Sequence, residues 1–424
     1  MDTIVAVSSG RPPAAIAIVR VSGPEAVAAA GALAGALPPP RRAALRALRR
    51  SHGGLLDRAL VLVFPGPDSA TGEDLVEFHC HGGRAVVAAV MAALVERPGL
   101  RFAQPGEFTR RALTNGRIDL AQAEGLADLL QAETEDQRRA ALYASEGRLS
   151  SVIHGWMNEC ARLSAQIEVL LDYAEEGDAG VEAGLLDSAL ADAAALRARI
   201  EAVLAAPPVE RLRDGIRVVI AGPPNAGKST LFNLLSARDA AIVSPQAGTT
   251  RDRIEAPVVH GGRAWLLIDS AGLNDAIDVV EQIGVARAWE AIETADVVLW
   301  LGDEPPPRAD AIWLHARADL PERRIVPASR DLAVRHDMPE AIEHVWRALL
   351  ICSETLLPKA DDLPLKAAQR VSCKAAAVAL DLEDDLLIAA EQLRIAHRSL
   401  ARIVGLDATE SMLDNLFGRF CLGK

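Results

Sequence analysis

The sequence predicts a multidomain protein of mixed class, with an N-terminal α+β domain, a helical domain, and an α/β domain with a doubly wound, mostly parallel sheet inserted into the helical one. Three observations predict this. The 424 residues exceed one ordinary domain of roughly 150. The hydrophobic periodicity changes twice, from short strand-like runs to helical stripes at Ile118 and back to strands at Ile216. A glycine-rich turn of the form G-x-x-x-x-G-K-[ST] falls between a buried-strand run and a helical pattern.

In chain order, Thr3 to Val7, Ala15 to Val21, Leu60 to Phe64 and Val76 to Cys80 read as strands. Pro24 to Leu37 and Arg84 to Val95 are Ala-rich helical segments between them. From Ile118 to Ala206 the pattern is helical; Trp156, Cys160, Leu163, Ile167, Leu170 and Leu171 make an apolar stripe that Pro207-Pro208 follows. Ile216 to Ala221 is a buried-strand run, and Ala264 to Ile268, Asp296 to Leu301, Ala311 to Leu314 and Arg324 to Val326 are further strands of a βα alternation. Its last helix is expected over Met338 to Leu350, and after Pro364 the chain is helical to the end with a break near Gly405. The expected domains are 1–117, 118–213, 214–352 and 353–424, the second and last being parts of one helical domain.

Lys plus Arg total 45 against 58 Asp plus Glu, a net charge of −13, so bulk charge cannot drive nucleic-acid binding and any RNA contact needs a local patch. Arg41, Arg42, Arg46, Arg49 and Arg50 read as a solvated face; Arg394, His397, Arg398 and Arg402 recur on a C-terminal helix leading toward Cys421 and Lys424. The longest apolar run, Val86 to Val95, is too short to span a bilayer and no basic segment precedes an apolar one at the start, which reads as a cytoplasmic protein with no membrane partner. The five scattered cysteines read as free thiols. In His79-Cys80-His81, strand alternation puts the two imidazoles on one face and the thiol on the other, so a strand edge or turn is expected rather than a metal site.

Gly222-Pro223-Pro224-Asn225-Ala226-Gly227-Lys228-Ser229-Thr230 is the phosphate loop: backbone N–H groups can wrap phosphates, Lys228 offsets their charge, and the Ser229 hydroxyl suits Mg²⁺. Downstream, Asp269-Ser270-Ala271-Gly272 ends a strand, where a carboxylate can hold metal-bound water and a glycine N–H can reach the outer phosphate. Between them Gly248-Thr249-Thr250-Arg251-Asp252 offers a threonine hydroxyl, Thr250, to complete the Mg²⁺ shell. Ala316-Arg317-Ala318-Asp319 stands where a guanine-reading N-K-x-D motif is expected; the Asp that accepts from the guanine edge is kept, and GTP is the favoured nucleotide. Ala328-Ser329-Arg330 is the candidate base-stacking loop.

These motifs and both chain ends resemble the TrmE, or MnmE, family of tRNA-modification GTPases. The resemblance is carried by Asp2-Thr3-Ile4-Val5-Ala6, Ile18-Val19-Arg20-Val21-Ser22-Gly23, Phe64-Pro65-Gly66-Pro67, Thr71-Gly72-Glu73-Asp74, His81-Gly82-Gly83, Pro105-Gly106-Glu107-Phe108, Asp119-Leu120-Ala121-Gln122-Ala123-Glu124 and the terminal Phe420-Cys421-Leu422-Gly423-Lys424. It implies a GTP hydrolase that works with an MnmG-type FAD protein, as a heterotetramer, to install an aminomethyl-type group at C5 of the wobble uridine of certain tRNAs. It further implies a homodimerising N-terminal domain that binds a tetrahydrofolate, in 5-formyl or methylene form, through Arg20, Glu77, Arg117 and Lys424.

By the same resemblance, Ser244-Pro245-Gln246-Ala247, leading into Gly248 to Thr250, belongs to the nucleotide site, and Asn225, Ser244, Gln246 and Thr249 are expected at K⁺. Glu281 is expected to orient the attacking water, Arg251 and Asp252 to support the switch loop, and Cys421 to lie near the modification site. The chain departs from the family pattern at Ala316 and Arg317, at Ser270 for the usual Thr, in Gly10-Arg11-Pro12-Pro13-Ala14-Ala15, and in a short Gly302 to Ser329 stretch. Two competing readings are a folate- and partner-binding scaffold that does not turn over nucleotide and a stand-alone GTPase of ribosome assembly.

Overall fold

The computed structural model describes residues 2–173, 179–238, 255–270, 289–335, 339–359, 362–407, 410–418, 420 and 423. The chain divides into two compact units, one of Met1–Ala127, Tyr143–Asn158 and Leu400–Lys424, the other of Asp128–Leu142 and Glu159–Ser399.

The first unit is built on strands β1 (Thr3–Val7), β2 (Ile16–Ser22), β3 (Ala44–Arg49), β4 (Leu55–Phe64), β5 (Leu75–His81) and β6 (Leu100–Phe102) in the order β3-β4-β5-β2-β1-β6. Neighbours are antiparallel except β1 and β6. Helices α1 (Ala26–Ala34) and α2 (Arg84–Val95) share a core with it, in which Val19, Val21, Val61 and Phe78 meet Ala30, Leu33, Val90 and Leu94. β1 is apolar on both faces because Val5 joins that core while Ile4 and Ala6 pack with Ala103 and Phe108. Helices α3 (Glu107–Thr114) and α4 (Leu120–Gln131) follow, and near the chain's end Phe417 and Phe420 cluster with Ala123, beside Leu113 and Leu126.

Near the chain's end, Gly423 comes up against the end of the first strand. Ser8 Oγ donates to the Gly423 carbonyl at 2.7 Å. Gly423 has φ 91°, and a Cβ there would lie 2.1 Å from the Val7 carbonyl oxygen, so only glycine admits this approach.

The helices α5 (Glu135–Ser145), α6 (Arg148–Tyr173), α7 (Ala179–Leu204) and α8 (Glu210–Arg213) come next. The expected α6 stripe is buried from Trp156 to Leu170, with Leu171 half-buried. The second unit's sheet comprises β7 (Ile216–Ala221), β8 (Glu255–His260), β9 (Arg263–Asp269), β10 (Val297–Trp300), β11 (Ile312–His315) and β12 (Leu332–Ala333) in the order β12-β11-β10-β7-β9-β8. All pairs are parallel except β8 with β9.

β7 is central: Val218 and Ile220 pack with Leu231 and Leu235 of α9 (Lys228–Arg238) and with Trp346 of α10 (Pro339–Leu356), while Val219 and Ala221 pack with Ile292 and Ala295. Residues on both sides are apolar because helices cover both faces. Helices α11 (Ala367–Ala379), α12 (Leu386–Val404) and α13 (Glu410–Phe417) complete the chain, with the expected break at Gly405.

Several elements differ from expectation. Arg324 to Val326 is not a strand: a 3-10 turn over Pro321–Arg323 precedes it, Pro327 follows, and Ile325 is 87% exposed. The last strand of the sheet is instead β12. The arginine cluster contains an edge strand, β3, in which Leu48 is buried and Arg46 reaches the Ala36 carbonyl beyond α1. Strand β8, unforeseen, pairs antiparallel with β9 across Gly261-Gly262.

Candidate functional site

The register of the second unit's sheet assembles a site at the carboxyl ends of its strands. β7 ends at Ala221, β9 places Asp269 opposite Ile220, and β10 ends so that Leu301 N donates to the Ala221 carbonyl at 2.8 Å. β11 leads directly into Ala316. Such a crevice is where open α/β sheets hold ligands.

Here lies a cavity of about 890 Å³, lined by residues that include Asn225, Gly227, Lys228, Ser229, Thr230, Ala316, Arg317, Asp319 and Val334. Chain turns of unusual hand make it. Gly222 has φ 151° and packs on the backbone of Leu301 and Gly302, where a Cβ would sit at 3.3 Å. Asn225 is left-handed at φ 59°. Ala226 N donates to the Pro223 carbonyl at 3.3 Å, which tightens the turn before α9.

Lys228 is 5% exposed. Its ammonium donates to the carbonyls of Gly222 at 2.9 Å and Pro223 at 2.8 Å. Burial pushes its pKa below 10.5 and the nearby Asp269 charge only partly opposes this. A buried cation whose bonds end on neutral carbonyls is matched by an anion, so the cavity fits a polyphosphate on its own chemistry. Ser229 lies in the same lining. Asp269 is buried at the end of β9. Ser270 is buried too, but its hydroxyl donates to the Ile220 carbonyl at 2.8 Å and ties the loop to β7.

Asp319 shares the cavity with the phosphate loop, and Arg317 Nη1 donates to the Asn225 carbonyl at 3.3 Å. Ala316 and Ala318 are buried; Ala318 N donates to the Val334 carbonyl at 3.2 Å. Ala328, Ser329 and Arg330 do not line the cavity: the Arg330 guanidinium lies 3.7 Å from the Trp313 ring centre and donates to the Asp303 carbonyl. Val334, just after β12, lines it instead. The signal missed was strand order, because this part of the lining follows the sheet's last strand.

In the first unit, register sets Arg20 of β2 opposite Glu77 of β5. Arg20 donates to Glu77 Oε1 from Nε at 3.0 Å and from Nη2 at 2.7 Å, while His79 Nε2 lies 3.2 Å from Oε2. Burial alone would raise the Glu77 pKa; the Arg20 hydrogen bond and charge, with His79, outweigh it and hold it below 4.5. Glu77 and Arg117 line a cleft of about 410 Å³ with Arg41, Phe64, Asp68 and Leu75 among others. A half-buried carboxylate and guanidiniums between apolar walls fit a flat, polar-edged ring system carrying carboxylates. Arg41, Phe64 and Asp68 were not foreseen there; the neighbouring Phe64-Pro65-Gly66-Pro67 motif was the available signal.

In His79-Cys80-His81 the strand alternation is as expected, with Cys80 buried and its thiol pushed up to about 12 by burial, and His81 bonded to Asp57 Oδ1 at 2.7 Å. Ser244, Pro245, Gln246, Ala247, Gly248, Thr249, Thr250, Arg251, Asp252, Ala271, Gly272, Glu281, Cys421 and Lys424 lie outside the described residues.

A phosphate loop between a parallel strand and a helix, facing an aspartate at the end of a second strand, defines a P-loop nucleotide-binding protein. The TrmE N-terminal family, described as GTP-binding protein TrmE N-terminus, matches residues 3–117, and the MnmE helical domain family matches residues 120–421. The tRNA modification GTPase MnmE of Erythrobacter litoralis is 51% identical over 100% of both chains, and that of Rhizorhabdus wittichii is 51% identical over 100% of this chain and 97% of that one. The protein of the same name from Novosphingobium aromaticivorans is 48% identical over 100% of both. The chain belongs to the MnmE (TrmE) family of tRNA modification GTPases. Among solved structures, the G domain of the T. maritima FeoB iron transporter aligns at 22% identity and TM-score 0.25, covering 32% of this chain and 98% of that one.

Proposed function

We propose that this chain is a Mg²⁺- and K⁺-dependent GTP hydrolase that, with an MnmG-type FAD protein, installs an aminomethyl-type group at C5 of the wobble uridine of certain tRNAs. A tetrahydrofolate is the one-carbon donor. The observation that carries the reading is the shared cavity of Lys228 and Asp319, a buried cation for phosphate and a carboxylate for the base.

In this reading Lys228 and the N–H groups from Asn225 to Thr230 bind the phosphates, and the Ser229 hydroxyl holds the divalent ion. Asp319 accepts two hydrogen bonds from the guanine edge, a choice that rejects adenine. Asp269 orients water around the ion, and Ser270 keeps that strand end fixed on β7. When bound, Mg²⁺ and K⁺ supply positive charge against the phosphate oxygens. Thr250, Asn225, Ser244, Gln246 and Thr249 are the proposed ion ligands, Glu281 the group that orients the attacking water, and Arg251 with Asp252 the supports of that loop.

Arg20, Glu77, Arg117 and Lys424 are proposed to hold the folate, with Cys421 near the modified base. The proposed domains are 1–117, 118–213, 214–352 and 353–424, working as a cytoplasmic homodimer. No helix among the described residues is long and apolar enough to cross a membrane.

The test is GTP hydrolysis in Mg²⁺ buffer, expected to be faster in KCl than in NaCl. Equal and negligible rates in both salts would remove the reading.

A further inference from the structure

The edge hairpin of the first unit's sheet carries a charge pattern opposite to that of the whole chain. From Ala26 to Pro67 the sequence holds six arginines, Arg41, Arg42, Arg46, Arg49, Arg50 and Arg58, and His52, against a single acidic residue, Asp57, in a chain of net charge −13. Strand β3 is the sheet's edge and β4 its neighbour, and their register sets Arg46 opposite Ala59 and Arg58 opposite Ala47. Arg42, Arg49 and Arg58 are exposed, Arg46 and Arg50 half-buried.

Nothing in the hairpin cancels this charge. The Asp57 side chain is 8% exposed and is taken up by His81, whose N donates to Oδ2 at 2.8 Å and whose Nδ1 lies 2.7 Å from Oδ1. Arg46 donates to the carbonyls of Ala36 and Leu45, and Arg49 to that of Gly53, all neutral acceptors. None of Arg42, Arg46, Arg49, Arg50 and Arg58 has a carboxylate partner among the described residues. Elsewhere exposed arginines are matched, Arg138 and Arg139 by Glu135 and Arg162 by Asp192. Charge of either sign guards an edge strand against other strands. One sign alone, kept across both strands of the hairpin, attracts a polyanion.

We infer that the β3–β4 edge is a docking surface for the phosphate backbone of RNA. The inference rests on the reading of tRNA as substrate. Arg42 to Arg50 extend over about 26 Å of strand-like chain, a length over which a nucleic-acid strand presents several phosphates. No Phe, Trp or Tyr lies between Ala26 and Leu56, so the edge offers bases no stacking platform. Contacts of this kind position a polyanion without reading its sequence, and a local patch is what lets a chain of net negative charge hold one.

The test uses full-length wild type, the triple variant Arg42→Gln/Arg50→Gln/Arg58→Gln, and a charge-matched control, Arg138→Gln/Arg139→Gln/Arg162→Gln. Fluorescently labelled tRNA is titrated with each over a series of KCl concentrations and followed by anisotropy. The hairpin variant should bind at least about tenfold more weakly at low salt, with the slope of log affinity against log salt smaller by about 2–3, while the control stays within about twofold of wild type. GTP hydrolysis without tRNA should be unchanged in both variants, which shows that both fold. Two variants weakened alike, or neither weakened, overturns the surface. So does a hairpin variant that changes oligomeric state on gel filtration with its tRNA affinity intact, which assigns the edge to a contact between copies, or one that loses binding to phosphatidylserine vesicles alone, which assigns it to lipid. Wild type that binds no tRNA also overturns the surface, and the tRNA reading is judged separately, by mass spectrometry of wobble uridines in cells lacking the protein.

Discussion

Lys228 shows at a single residue how burial turns a common side chain into a binding group. In water its ammonium is solvated; here it is nearly excluded from solvent and its bonds end on two carbonyls of its own loop. Its pKa is lowered in the ligand-free state, so a bound polyphosphate, which favours the charged form, should draw it back up. Lys228→Ala is expected to weaken GTP binding by at least two orders of magnitude, roughly 3 kcal/mol, in equilibrium titration.

Glu77 behaves in the opposite sense. Its folded pKa lies below the ordinary 4.5, so the Arg20–Glu77 pair contributes stability that is present above that value and is lost as pH falls through the folded pKa. Arg20→Ala should therefore melt below wild type at neutral pH, with the gap narrowing as pH drops below 4.5. A gap that stays constant down to the acid limit would show that the pair is not the source.

Among the elements away from the cavity, the β8–β9 hairpin packs its aromatic side chains on helix α10. Gly261 and Gly262 turn the hairpin with φ of 59° and 76°, both of the positive sign that two-residue turns need. His260 then stacks on Trp346 at 4.2 Å between ring centres, and Trp265 meets the same indole edge-on at 5.6 Å. Arg263 donates to the Leu350 carbonyl at 2.8 Å and to the Ser353 hydroxyl.

Trp346→Ala should cost about 3–5 kcal/mol in urea unfolding, the range for emptying a buried aromatic site. Trp346→Phe should cost less, since the indole N–H has no partner among the described residues and its loss leaves nothing unpaired. The Gly-Gly pair between two apolar runs announces such a hairpin, yet β8 escaped reading because its Glu255-Ala256-Pro257 start is a poor strand sequence. An antiparallel edge tolerates that proline where a central strand does not.

For the whole molecule, the proposed chemistry requires the GTPase site and the folate cleft to serve one reaction on RNA. Cells lacking this protein should lose the C5 modification of wobble uridines by mass spectrometry, and complementation with Lys228→Ala should fail to restore it. Restoration by that variant would separate nucleotide turnover from tRNA chemistry.

The sequence by itself determined the elements whose periodicity is local and whose termini are punctuated. The Ile216–Ala221 strand, the Arg84–Val95 helix and the phosphate loop between β7 and α9 all lie where spacing put them. Charge, cysteine usage and the family motifs were equally local. Only the tertiary structure decided that Arg330 stacks on Trp313 while Val334 lines the cavity, that Arg41 joins Glu77 and Arg117 in one cleft, and that Ser270 spends its hydroxyl on a backbone carbonyl. Strand order and register settle these matters, because they bring together residues far apart in the chain whose pairing no short-range pattern encodes.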